Sequence, residues 1–249
     1  MKLSFIALAL VVLSSCGVGD KVNPSAKSVA MVLLDVSEST KQSDIRERYL
    51  SNFDVMLKHV DGISDKGSYL AGDIIDSNPL AHGSFPVRAT FRPCGLGDNS
   101  DVCRRQLEDK SLAVRSTLKT LARGVDQGTD IIGALRLAEE SYFSAYDDGL
   151  PERLLILSDM VQSSGPFSAN RILRSSMIEI EEMLAQKAKS LTDLEGVDVY
   201  VVGGGSTAPD RLDSAEIGKL QHFWRAYFAE AGADVIFYGA ALPTFPIGN

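Results

Sequence analysis

The stretch Val29–Thr40, VAMVLLDVSEST, ends an apolar run in a crowd of oxygen donors: Asp35, Ser37, Ser39 and Thr40 fall within six positions. Two chemistries suit that set. Ser, Thr and Asp are good helix N-caps, because their short side chains accept from the free N–H groups of a first helical turn. The same oxygens also suit a hard divalent ion: the carboxylate brings charge, and the neutral hydroxyls are short enough to approach closely. Two further positions share the double reading. Thr129, in DQGTDIIGAL, stands just ahead of a helical pattern, and Asp159, in RLLILSDM, follows a second apolar run. Each residue alone is explained as well by a cap or a turn. The choice depends on whether the fold brings them together.

The elements that must position them alternate regularly. An apolar run at 28–35 precedes a helical pattern over 42–61, in which Ile45, Tyr49, Phe53, Met56, Leu57 and Val60 recur at helical spacing. Extended segments at 67–75 and 85–92 flank DSNPLAHGSFP, as in a long hairpin. Helical patterns follow at 101–123 and 130–146, then at 168–190 and 210–231, between the apolar runs RLLILS (153–158), VDVYVVG (197–203) and ADVIFYG (233–239). Apolar strands separated by helices predict an α/β, Rossmann-like fold. Its sheet has six strands, mainly parallel with one antiparallel edge strand, helices cover both faces, and one domain spans 28–240. In open parallel sheets ligands bind beyond the carboxyl ends of the strands, where strand order reverses. Asp35 and Asp159 both follow strands, so that edge is where they would meet.

On this map the D-x-S-x-S of Asp35, Ser37 and Ser39, with Thr129 and Asp159 further on, resembles the metal-ion-dependent adhesion site of von Willebrand factor A (vWA) domains. That family carries D-x-S-x-S on a first loop, Thr on a second and Asp on a third, and all five positions match in order. The resemblance implies a divalent cation, Mg²⁺ or Mn²⁺, held by Asp35, Ser37, Ser39, Thr129 and Asp159. It also implies a protein partner whose Asp or Glu carboxylate fills the ion's open position. The neighbouring acids Glu38, Asp126 and Asp130 are weaker candidates, and Glu38 is expected to face water. The resulting function is binding, not catalysis. A metal-dependent hydrolase or phosphatase is the alternative, since haloacid-dehalogenase-type phosphatases place their nucleophile where Asp35 stands, but their D-x-D is broken here by Ser37. G-x-S-x-G and H-E-x-x-H are absent from the sequence. A structural role in envelope assembly is a third reading.

The N-terminus, MKLSFIALALVVLSSC, has Lys2, an apolar run too short for a membrane span, and small residues before Cys16. Its LSSC resembles the lipobox of bacterial lipoproteins. That implies a signal peptide at 1–15, lipidation of Cys16, and a tether at 16–27. It predicts an exported protein attached to the membrane by lipid alone, with Gly17 pointing to the outer membrane. Cys94 and Cys103, in RPCGLGDNSDVCRR, are then an even pair in an oxidising compartment, and a local disulfide is expected. GDNSD completes no EF-hand pattern.

The 249 residues are 45% hydrophobic and 23% charged, with a net charge of -8, which argues against nucleic acid as a partner. VVGGGSTAPD (202–210) lacks dinucleotide and P-loop spacing and is expected to turn the chain at the sheet's ligand edge. In KLQHFWRAYFAEAGA, helical spacing assigns Leu220, Phe223, Trp224, Tyr227 and Phe228 to the core. His59, His82 and His222 are scattered, and 241–249 reads as an extended tail.

Overall fold

The computed structural model describes residues 28–59, 68–95, 97–146, 149–204 and 212–243. Residues 1–27, with Cys16 and the predicted leader and tether, lie outside the described residues, as does 244–249 of the predicted tail. Among the described residues no helix is long and apolar enough to cross a membrane.

Six strands form one sheet: β1 (Val29–Asp35), β2 (Ser68–Ile75), β3 (Val87–Phe91), β4 (Glu152–Leu157), β5 (Val197–Val202) and β6 (Asp234–Gly239). Their order is β3-β2-β1-β4-β5-β6. β1 pairs in parallel with both β2 and β4, and the 4-5-6 side is parallel throughout. Only β3 runs antiparallel, at the edge, closing the predicted hairpin with β2. The α-helices among the described residues are α1 (Ser43–His59), α2 (Ser100–Leu121), α3 (Ile131–Ser141), the short α4 (Ala169–Arg174), α5 (Met177–Lys187) and α6 (Ser214–Glu230).

The unbroken apolar strands exist because both faces of the sheet are covered. Along β1, Val29, Met31 and Leu33 join the core under α3 to α6, whereas Ala30, Val32 and Leu34 join the core under α1 and α2. β4 divides likewise, with Leu154 and Ile156 on the first side and Leu155 and Leu157 on the second. The α6 aromatics pack as their spacing predicts: Phe223, Trp224, Tyr227 and Phe228 are buried and in mutual ring contact.

Two elements depart from the pattern. The helix expected over 168–190 is two, because the chain turns extended at Ser175 and Ser176, where Ser176 with Glu179 forms a capping box that starts α5 afresh. β6 is half-exposed, with Ile236 at 45%, since an edge strand has one neighbour and helices cover it incompletely.

Cys94 and Cys103 form the expected disulfide, joining the loop after β3 to the first turn of α2. The acidic residues of that loop are occupied locally: the Asp98 carboxylate accepts from Gly95 N–H, and Asn99 caps α2 by accepting from Asp101 and Val102 N–H.

Candidate metal centre

β1 sends the chain to β2 on one side while β4 continues the sheet on the other, so strand order reverses between β1 and β4. Asp35 closes β1, and the adjacent β4 ends at Leu157, directly before Ser158 and Asp159. The two carboxylates therefore leave neighbouring strands at the switch point. Ser158 Oγ donates to Asp35 Oδ2 at 2.6 Å, linking the two strand ends by a side-chain bond.

The first loop is held by its own oxygens. Ser37 N–H donates to Asp35 Oδ1 at 2.8 Å, and Thr40 Oγ1 donates to the Asp35 and Ser37 carbonyls at 3.0 and 3.1 Å. Thr40 is thus a structural residue. Ser37 occupies the N-cap position of a short 3₁₀ turn, Glu38–Thr40, yet its hydroxyl makes no cap bond. Instead Ser37 Oγ lies 2.9 Å from Ser39 Oγ. Glu38 pairs with Lys41 at the surface and faces water, as expected.

The second loop is seated against the first by a bridge between Ser37 and Asp126, in which Asp126 N–H donates to the Val36 carbonyl at 3.0 Å. Asp126 Oδ1 accepts from Gly128 and Ser77 N–H, and these bonds hold its carboxyl below the usual range. The cap of α3 is Asp130, not Thr129: its Oδ1 accepts from Gly133 N–H at 3.1 Å. A Cβ at position 133 would stand 2.3 Å from Asp130 Oδ2, so glycine there leaves the capping carboxylate its place. The Thr129 side chain, which is buried, is therefore not needed for capping.

The third loop ties Thr129 in place. Ser163 Oγ accepts from Thr129 N–H at 2.8 Å and donates to its carbonyl at 3.0 Å, while Gln162 accepts from Ile131 N–H and donates to Asp130. Asp159 Oδ1 accepts from Val161 N–H at 3.0 Å. Met160 adopts φ 64, a left-handed backbone unusual for its type, and Trp224 Nε1 donates to its carbonyl at 2.8 Å. The core helix α6 thus fixes the strained turn that aims Asp159.

Asp35, Ser37, Ser39, Thr129 and Asp159 are therefore gathered on three interlocked loops at one sheet edge. Asp35 is fully buried, and Ser37, Thr129 and Asp159 are 3–4% exposed. Burial pushes the Asp35 carboxyl up, against the hydrogen bonds from Ser158 and Ser37 that pull it down. The donor set is two carboxylates and three hydroxyls, all oxygen, which fits Mg²⁺ or Mn²⁺. Among the described residues no three His, Cys, Asp or Glu side chains gather as a metal cluster, and a site with only two carboxylates is not of that kind. Of the glycine-rich stretch 202–210, residues 205–210 lie outside the described residues, and Gly203 follows β5 at this edge. Gly203 has φ +98, and a Cβ there would fall 2.6 Å from the Tyr49 hydroxyl and 2.8 Å from the Ser158 carbonyl.

Ser158, Met160, Gln162, Ser163 and Trp224 complete the centre, and the D-x-S-x-S pattern points to none of them. Only the polar crowding of SDMVQSS after β4 signals them in the sequence.

One further cluster underlies the second loop. His82 Nδ1 faces Asp73 Oδ1 at 3.1 Å, and its Nε2 faces Asp76 Oδ2 at 3.0 Å. Asp130 N–H in turn donates to the Asp76 carbonyl at 2.7 Å.

The sheet order, the single antiparallel edge strand and the helices on both faces are consistent with a Rossmann-like vWA fold. No family model matches the chain, and no curated protein matches it either. Solved structures similar to it include proximal thread matrix protein 1 from the mussel byssus, 14% identical with TM-score 0.37, covering 87% of this chain and 42% of that one. The same protein with a zinc-occupied MIDAS motif is 13% identical with TM-score 0.39 and the same coverage. The pilus adhesin SpaC from Lactobacillus rhamnosus GG, in its open conformation, is 13% identical with TM-score 0.44, covering 88% of this chain and 28% of the adhesin. The chain thus spans less than half the length of each. At this distance the likeness bears on no residue of the site.

Proposed function

We propose that this chain is a binding domain that takes up Mg²⁺ or Mn²⁺ at Asp35, Ser37, Ser39, Thr129 and Asp159 and grips a protein partner through an Asp or Glu carboxylate. One observation carries the reading. The hydroxyls of Ser37 and Ser39 turn toward each other at 2.9 Å, and Ser37, although at an N-cap position, caps nothing. Paired hydroxyls released from capping, on a loop interlocked with two others bearing Thr129 and Asp159, form an oxygen cradle rather than a set of independent caps. The ion would supply a positive centre for an incoming carboxylate. The chain's own residues fix the cradle: Ser158 and the Ser37 N–H orient Asp35, Ser163 holds Thr129, and Trp224 holds the turn after Asp159. We further propose, from LSSC ending at Cys16, that the domain is carried on a lipid anchor in the bacterial envelope.

The test is capture from envelope extract in Mg²⁺ and Mn²⁺, followed by elution with EDTA, with Ser37→Ala/Ser39→Ala bait in parallel. A protein released by EDTA and missing from the variant lane supports ion-bridged binding. Identical eluates, together with a phosphatase or esterase activity abolished by the double variant, would instead make the chain a metal-dependent hydrolase.

A further inference from the structure

Tyr49 lies on α1, ten residues beyond the last serine of D-x-S-x-S, and its spacing marks it as an ordinary core residue. It is fully buried, but its phenol oxygen has no hydrogen-bond partner among the described residues. An orphaned buried hydroxyl costs about 1–3 kcal/mol, so it needs a reason. Its place supplies one. The phenol reaches the carboxyl ends of β4 and β5, where Gly203 leaves room for it, and the Ser158 carbonyl lies on the same side of that glycine. Besides burial, the charges that act on the phenol are Asp159 first, then Asp35, with Arg48 opposing them. A neutral O–H donor thus stands at the strand ends from which the candidate centre is built, on the Ser158 side of Gly203.

We propose that Tyr49 is a positioning residue of the metal centre, its hydroxyl donating to the Asp35–Asp159 carboxylate pair, directly or through one water, when the ion is bound. The inference rests on the proposed function. Metal sites depend on such outer donors, which orient the ligating oxygens and typically account for about 10–100-fold in affinity. A phenol suits the position better than a hydroxyl of Ser or Thr. Its ring packs as core between α1 and the sheet, so the donor is held without competing backbone bonds.

The experiment compares Mn²⁺ uptake by calorimetry, and thermal unfolding with and without Mn²⁺, in the wild type, Tyr49→Phe and Tyr142→Phe. Tyr142 is the control, because its hydroxyl too is buried, but it packs with Tyr146 and Phe85 on the opposite face. Tyr49→Phe is expected to weaken Mn²⁺ binding about tenfold and to shrink the Mn²⁺-induced rise in melting temperature. The ion-free protein should be as stable as wild type or more so, since the orphan is gone. Tyr142→Phe should leave Mn²⁺ binding unchanged. Equal Mn²⁺ affinity in Tyr49→Phe and wild type would overturn the proposal, as would loss of ion-free stability in Tyr49→Phe, which would make the hydroxyl structural. Absence of Mn²⁺ uptake in the wild type would overturn the metal centre itself, and Tyr49's role with it.

Discussion

His82 sits between two carboxylates, and the arrangement has a definite pH signature. Only the imidazolium can donate from both ring nitrogens; the neutral ring has one N–H, and its other nitrogen would set a lone pair against a carboxylate oxygen. The Asp76 and Asp73 bonds raise the His82 pKa above the ordinary value, against burial, the largest influence, which lowers it. A folded pKa raised above the unfolded value gives stability that is fully present below about 6.5 and lost as pH climbs through the folded value. Burial pushes the Asp73 carboxyl up, against the Ile74 N–H and His82 bonds that pull it down. Deprotonation removes one charge-assisted bond of about 1.5–3 kcal/mol and weakens the other. With the His82 side chain 20% exposed, screening reduces the net loss to about 1–2 kcal/mol. For a domain of this size that is roughly 2–8 °C in melting temperature. Urea unfolding of wild type and His82→Gln in EDTA, from pH 6 to 9, measures it. The wild type should exceed the variant most at pH 6, and the gap should close as pH rises. A gap that stays constant, or an NMR titration of the His82 ring with its midpoint below the free-histidine value, would refute the clasp.

Ser37→Ala/Ser39→Ala should cost the ion-free protein about 1–3 kcal/mol without unfolding it, because the two hydroxyls bond each other and that of Ser37 also bonds the buried Asp35 carboxylate. The double variant should forfeit the stabilisation of about 2.7 kcal/mol that an ion at a hundred times its Kd confers, read as a missing Mg²⁺-induced melting shift. Replacing Cys94 and Cys103 together by Ser opens a loop of sequence separation 9 and should cost about 2.5 kcal/mol by denaturant unfolding, with two thiols appearing if the bond is only reduced. Gly203→Ala combines a left-handed backbone with a Cβ 2.6 Å from Tyr49, so a loss of about 1–3 kcal/mol, together with weakened Mn²⁺ uptake, is expected in melting and calorimetry.

The strands were legible because burial on two faces demands uninterrupted apolar residues, and β1, β4 and β5 meet that demand within a residue or so of the predicted limits. The hairpin edge was legible from the turn residues between β2 and β3. The break at Ser175–Ser176 was not, since the apolar spacing runs on across it and only the capping box distinguishes two helices from one. For the site, sequence order named Asp35, Ser37, Ser39, Thr129 and Asp159 but could not separate ligand from cap. The structure removes the capping role from two of them: Asp130 caps α3 in place of Thr129, and Thr40, not Ser37, bonds the loop's carbonyls. The supporting residues were hidden because their contacts are remote in sequence, as with Ser158 to Asp35 across 123 positions and Trp224 to Met160 across 64.

The central place of β1 has a mechanical consequence. The candidate site stands at the carboxyl end of this strand, so under the proposed function a pull between a partner at the site and the chain ahead of Val29 runs along the length of β1. That tension is opposed by parallel ladders on both sides at once, seven residue pairs with β2 and six with β4. Such a load shears all of these bonds together instead of peeling them one at a time.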